Sequence, residues 1–223
     1  MNKGKLYLIP SPLGDNPVGE VLPQRVLDIA CSLTCFVVEE VRTARRFLSK
    51  YGLKGKIETL DFHELNEHTK PEDVKALLKL FDGQDVGLVS EAGLPAVADP
   101  GAILVDLCHR EGIEVVPLVG PSSLMMALMA SGLNGQCFAF CGYIPAKTDA
   151  RRSSLRSLEK RSKAGNESLI IIETPYRNDQ LFSDMLSTLA PSTRICVAAD
   201  ITLETQMMAK VTQGFLSKLR VTL

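Results

Sequence analysis

The sequence predicts an α/β protein built as two α/β domains. Short apolar runs of strand length alternate with segments of helical period, and Gly/Pro-rich loops stand directly after several of the runs. A shift in composition near residues 140–150 predicts the division, with an N-terminal domain over 1–140 and a C-terminal domain over 141–223. A chain of 223 residues is long enough to bury a real core in either arrangement.

The elements follow in order. Residues 6–10 form the first strand, and 25–33 a helix with Val26, Ile29, Ala30 and Leu33 on one face. Residues 35–38 are a strand, and 43–51 a helix closed by Gly52. A strand at 85–89, a helix at 102–110 stopped by Gly112, a strand at 114–118 and a helix at 122–130 stopped by Gly132 continue the alternation. After a strand at 138–143 comes a charged, Ser-rich stretch from Lys147 to Asn166. The pattern then resumes with a strand at 169–172, a helix at 178–189 and a strand at 194–199.

Composition excludes several classes. Aromatic residues make up 5% and Trp is absent, so a dense base-stacking platform is not expected. The six cysteines fall mainly in apolar runs, without CxxC or Cys/His zinc spacing. They read as buried free thiols of a reducing cytoplasm, with no metal site. No apolar stretch reaches the length of a membrane span, and the N-terminus lacks the apolar core of a signal peptide. The net charge of −1 hides an asymmetry: residues 1–140 hold 13 Lys and Arg against 18 Asp and Glu, residues 141–223 hold 12 against 8. Lys147, Arg151, Arg152, Arg156, Lys160, Arg161 and Lys163 carry most of the positive excess. They read either as a phosphate-contacting patch or as a solvated helix face docked through Leu155 and Leu158.

The chemistry lies in three post-strand loops: Pro10-Ser11-Pro12-Leu13-Gly14-Asp15; Ser90-Glu91-Ala92-Gly93-Leu94-Pro95 continuing to Asp99-Pro100-Gly101; and Val119-Gly120-Pro121-Ser122-Ser123. Loops at the carboxyl ends of strands line the ligand crevice of open α/β sheets. Gly allows close backbone approach and Pro fixes loop shape. Neither a GxGxxG nor a GxxxxGK[ST] motif is present, so the loops are not the usual dinucleotide or ATP cradle.

The order of these segments, from Leu6-Tyr7-Leu8-Ile9-Pro10 through Gly120-Pro121-Ser122-Ser123, resembles the tetrapyrrole (corrin/porphyrin) methylase superfamily. Within it the chain is most similar to the branch that methylates a ribose 2′-hydroxyl of small-subunit ribosomal RNA. His63-Glu64-Leu65-Asn66-Glu67 fits that branch, as does Gly142-Tyr143-Ile144-Pro145 followed by Lys147 and Arg151-Arg152. Glu39-Glu40-Val41-Arg42 stands where the branch has Glu-Asp-Thr-Arg, and Thr174-Pro175-Tyr176-Arg177 where it has Ser-Pro-His-Arg.

The resemblance implies a tetrapyrrole methylase-like fold with S-adenosylmethionine in a cleft between two domains. Leu13, Leu94, Val97, Ser122 and Ser123 would contact the cofactor, with Gly142, Tyr143, Ala198 and Ala199 closing the pocket. Glu39, Glu40 and Arg42 are the candidate catalytic residues. His63, Glu64, Asn66, Lys147, Arg151, Arg152 and Arg177 are candidates for binding the RNA. A hydroxyl nucleophile needs a general base, for which Glu39, Glu40, His63, Glu64 and Glu173 are available; Glu39 and Glu40 could equally cap or pair with Arg42 at a strand end, His63 be a satisfied loop histidine, and Glu173 pair with Arg177. The resemblance also implies a homodimer, in the cytoplasm that the cysteines indicate; the Met-rich 124–129 stretch reads as core or dimer packing rather than a functional Met box. Two alternatives stand beside this reading: methylation of a small molecule such as a tetrapyrrole, and a catalytically inactive cofactor-binding interaction protein.

Overall fold

The computed structural model describes residues 3–212; residues 213–223, including the end of the expected second domain, lie outside the described residues. Two compact units emerge. Among the described residues, one comprises residues 3–123 with Thr202–Glu204, the other Leu124–Ile201 with residues 205–212. The composition shift near 140 therefore falls inside the second unit.

In the first unit, strands β1 (Leu6–Ile9), β2 (Cys35–Val38), β3 (Asp61–Glu64), β4 (Val86–Val89) and β5 (Val115–Pro117) form one parallel sheet in the order β3-β2-β4-β1-β5. Helices α1 (Val18–Val21), α2 (Gln24–Ser32), α3 (Val41–Leu48), α4 (Pro71–Ala76) and α5 (Ala102–Arg110) connect them. Side chains alternate across a strand, so β1, β2 and β4 each feed two cores. Ile9, Phe36, Val38 and Val89 pack with Val26 and Ala30 of α2 and Ala44 and Leu48 of α3. Leu6, Cys35, Val37, Val86 and Leu88 pack with Val74 of α4 and Leu104 and Cys108 of α5. Burial on both faces explains why β2 and β4 read as unbroken apolar runs.

β1 and β4 lie side by side, yet the chain leaves them in opposite directions across the sheet. That reversal opens the crevice at their carboxyl ends. The Thr202–Glu204 excursion is tied to this unit by Asn16, whose Nδ2 donates to the Thr202 carbonyl at 2.7 Å while the Thr202 hydroxyl donates back to Oδ1 at 2.9 Å.

The second unit contains α6 (Ser123–Ser131, which begins at the unit boundary), β6 (Phe138–Tyr143), α7 (Thr148–Gly165), β7 (Ser168–Ile172), α8 (Asn178–Thr188), β8 (Arg194–Ala199) and β9 (Met207–Thr212). β6 and β7 pair in parallel, β8 and β9 antiparallel. The charged 147–166 stretch is thus mostly helix. Leu155 of α7 and Leu181 of α8 are the centre of a small core with Ile144.

Candidate active site at the carboxyl edge of the sheet

The first two post-strand loops are joined by backbone. Ser11 N donates to the Gly93 carbonyl at 2.8 Å and Gly93 N to the Ser11 carbonyl at 3.1 Å. The buried Ser11 hydroxyl donates to the Ser90 carbonyl at 2.8 Å. Gly93 has φ +72°, a conformation that suits glycine, and a Cβ there would stand 3.2 Å from Leu13 and 3.5 Å from the Pro121 carbonyl. The third loop comes as close from the other side: a Cβ on Gly120 would lie 2.1 Å from Pro10. All three loops therefore converge where β4, β1 and β5 end. Tyr51, just beyond α3, fastens the first loop from below, its buried hydroxyl donating to the Pro10 carbonyl at 2.9 Å. Nothing in the local sequence pattern marked Tyr51 for this role.

The second loop holds its shape through Asp99, whose Oδ1 accepts from Ala96 N at 3.1 Å and Gly101 N at 2.7 Å. Ala96 and Ala98 adopt φ +65° and +56°. Such left-handed alanines cost about 1–2 kcal/mol each and persist where the surroundings fix the backbone. Between them Val97 is 45% exposed. Leu13, Leu94, Ser122 and Ser123 are half-buried on the same three loops.

β2 delivers the carboxylates. Glu40 caps α3, its side chain accepting from Arg42 N at 2.8 Å and Thr43 N at 2.6 Å. Hydrogen bonds from Thr43, then Arg42, hold its carboxyl below the usual carboxylate range. Glu40 is therefore an ionised cap, a poor proton acceptor near neutrality. Glu39 is the opposite case. Burial, then the negative charges of Asp99 and Glu91, push its carboxyl up, against a hydrogen bond from the Glu91 main chain. A carboxylate whose proton affinity is raised above the ordinary, beside these loops, is suited to take a proton.

The remaining candidates divide by position. In β3, His63 Nε2 meets Asp61 at 2.8 Å and Glu64 is exposed; just after the strand, Asn66 shapes a turn by accepting from His68 N at 3.0 Å. Cys35, Asp61 and His63 place donor atoms within 4.8 Å of one another, a cluster that sequence spacing did not reveal. Burial, then the Asp61 charge, pushes the Cys35 thiol up to about 11, so it is protonated, and the His63 ring is engaged with Asp61. All six cysteines are free; Cys35 and Cys108 are buried, while Cys137 is exposed, contrary to the expectation for its apolar run.

In the second unit, Gly142 (φ +68°) and Tyr143 (58% exposed) occupy an irregularity at the end of β6. Ala198 and Ala199 end β8, paired with Met208 and Met207. Arg177 donates to the Ile144 carbonyl and pairs with Glu173 at 2.9 Å, which engages Glu173 away from any role as a base.

The basic segment requires a correction. Arg151 is 1% exposed, its Nε donating to Asp184 at 2.6 Å and its Nη1 to the Ala146 carbonyl at 2.6 Å. A side chain so enclosed is a structural ion pair and does not reach a phosphate. Arg152 shares Asp184 at 2.6 Å, Arg161 pairs with Glu167 and Lys163 with Glu159. Lys147, Arg156 and Lys160 are the exposed cations of the segment for which no ion pair occurs among the described residues.

Comparison with known proteins agrees with this geometry. The family model of the tetrapyrrole (corrin/porphyrin) methylases matches residues 5–217. The chain is 36% identical over 197 residues to the "Ribosomal RNA small subunit methyltransferase I" of Vibrio cholerae, covering 88% of this chain and 65% of that protein. It is 34% identical over 201 residues to the protein of the same name from Escherichia coli O157:H7, covering 90% and 66%. Among solved structures, diphthine synthase superposes with a TM-score of 0.68 at 14% identity, covering 97% of this chain and 85% of that one. A uroporphyrin-III-C-methyltransferase from Thermus thermophilus gives 0.55 at 18% identity, covering 99% and 88%. The protein is of the α/β class, with a loop-built crevice at the carboxyl edge of a parallel sheet. The chain belongs to the tetrapyrrole methylase family. It spans just under two thirds of the length of the two curated relatives named here. No helix among the described residues is long and apolar enough to cross a membrane.

Proposed function

We propose that this chain is an S-adenosylmethionine-dependent methyltransferase that modifies a ribose 2′-hydroxyl of small-subunit ribosomal RNA. The observation that carries the reading is the convergence of the three loops beside Glu39. The names of the relatives from Vibrio cholerae and Escherichia coli support the RNA acceptor. The residues present fit the cofactor: Leu13, Leu94 and the exposed Val97 offer apolar surface on loops rich in main-chain groups, which suits an adenosyl body with a methionine tail. S-adenosylmethionine, when bound, supplies an electrophilic methyl group for in-line displacement.

The protein's own task is orientation and proton transfer. The loops hold the reactants in line, and Glu39 takes the proton of the attacking hydroxyl. Glu40 keeps the start of α3, and hence Arg42, in place. We assign Ser122, Ser123, Gly142, Tyr143, Ala198 and Ala199 to the cofactor on the family resemblance. His63, Glu64, Asn66, Lys147, Arg152 and Arg177 are assigned to the acceptor side. The reading includes a cytoplasmic homodimer, for which the exposed Val119, Met125 and Met129 provide apolar surface.

Calorimetry with S-adenosylmethionine tests the cofactor, and transfer of labelled methyl to small ribosomal subunits tests the acceptor. The expected result is binding together with label on the RNA. Label on a tetrapyrrole and not on RNA would select the small-molecule reading; binding without transfer to either would select the inactive one.

A further inference from the structure

We infer that the exposed face of α3 is a phosphate-binding ridge that seats the backbone of the RNA substrate beside the crevice. The inference rests on the RNA reading above and adds a site to it. Arg42 and Arg46 of α3, and Lys50 of the π-helical turn that follows it (Ser49–Leu53), stand at intervals of four residues and are all exposed, while Ala44 and Leu48 turn into the core. The α-helical interval from Arg42 to Arg46 advances by about 6 Å, the scale of the distance between neighbouring phosphates on one RNA strand. Two adjoining open pockets share Arg46. One, of about 490 Å³, is lined by Pro12–Asp15 of the first loop, Lys50 and Glu91. The other, of about 580 Å³, is lined by Glu40, Arg42 and Thr43. The ridge therefore borders the loops that build the crevice.

Its charges are available. Among the described residues Arg42 and Arg46 have no ion pair, and the Glu40 carboxylate is taken up by main-chain amides. Lys50 pairs with Asp15, whose side chain is 89% exposed, so a phosphate can replace it at little cost. Arg45, on another face, is paired with Glu58 and lies over Phe62. Electrostatics also demand such a feature. Glu39, Glu91 and Asp99 make the crevice acidic, and a polyanion approaching it needs cations at the rim. The α7 helix is the weaker provider, since Arg151, Arg152, Arg161 and Lys163 are already matched by carboxylates.

The test measures binding of small-subunit RNA to the full chain by fluorescence anisotropy across a salt series. Variants Arg46→Gln and Arg46→Glu are compared with an Arg156→Glu/Lys160→Glu control on α7, with cofactor affinity measured in parallel. The ridge predicts a loss of about tenfold in RNA affinity for Arg46→Glu and a salt slope shallower by about one. Arg46→Gln should show the smaller loss, and cofactor affinity should be unchanged. Wild-type RNA affinity and slope in both Arg46 variants would overturn the ridge while leaving the RNA reading standing. So would a loss confined to the α7 control. Wild-type protein that binds no small-subunit RNA at any salt would overturn both.

Discussion

Glu39 and Glu40 are neighbours with opposite environments, and the difference assigns their roles. Glu40 is solvated and capped by amides; Glu39 is partly buried among other carboxylates. Glu39→Gln keeps the shape and removes the proton acceptor, so turnover should fall about 10²- to 10⁴-fold in single-turnover methyl transfer with cofactor affinity intact. The pH–rate profile of the wild type should rise through a limb above the ordinary Glu range as Glu39 ionises. Stability moves the other way. A carboxyl raised in the folded state costs stability as pH climbs from its unfolded value through its folded one. Glu39→Gln should therefore raise Tm at pH 8 relative to wild type and leave it unchanged at pH 3, as checked by calorimetric scans. Equal Tm at both pH values would contradict the environment assigned to Glu39.

At the scale of the element, loops and helices are fixed by contacts far apart in sequence. Tyr51→Phe leaves the Pro10 carbonyl without its donor and should cost about 1–2 kcal/mol in urea unfolding, with weaker cofactor binding because the first loop loosens. Arg151→Ala removes a buried partner of Asp184 and should cost about 3 kcal/mol, read by the same method. Burial pushes the Asp184 carboxyl up, but hydrogen bonds and charge from Arg152 and Arg151 outweigh it and leave it below the usual range. Its contribution is present above the unfolded value near pH 4 and is lost as pH falls through the lower folded one. Asp184→Asn should remove that acid-side dependence.

These contacts also mark what the sequence made legible. The buried strands, and the helix ends at Gly112 and Gly132, were readable from apolar runs and positive-φ glycines. β3 was not, because the edge strand Asp61–Glu64 is short, polar and lacks alternating burial. The three loops were readable from Gly and Pro. Their convergence was not, since it depends on Ser11 meeting Gly93 and Gly120 meeting Pro10. Arg151 read as a surface cation because its partner Asp184 lies 33 residues away.

At the scale of the whole molecule, the two units carry different burdens. The first holds the loop-built crevice and Glu39, so it carries the evidence for chemistry. The second contributes residues assigned to the cofactor by family, and Tyr143→Ala, which deletes an exposed ring, should weaken S-adenosylmethionine binding in calorimetry without lowering Tm. The central claim is that Glu39 activates a ribose hydroxyl of small-subunit RNA for methylation. Mass mapping of that RNA after incubation with S-adenosylmethionine and either wild-type protein or Glu39→Gln tests it most directly. The account predicts one added methyl on a ribose with the wild type and none above background with the variant. A methyl on a base, or an undiminished ribose methyl with Glu39→Gln, would contradict it.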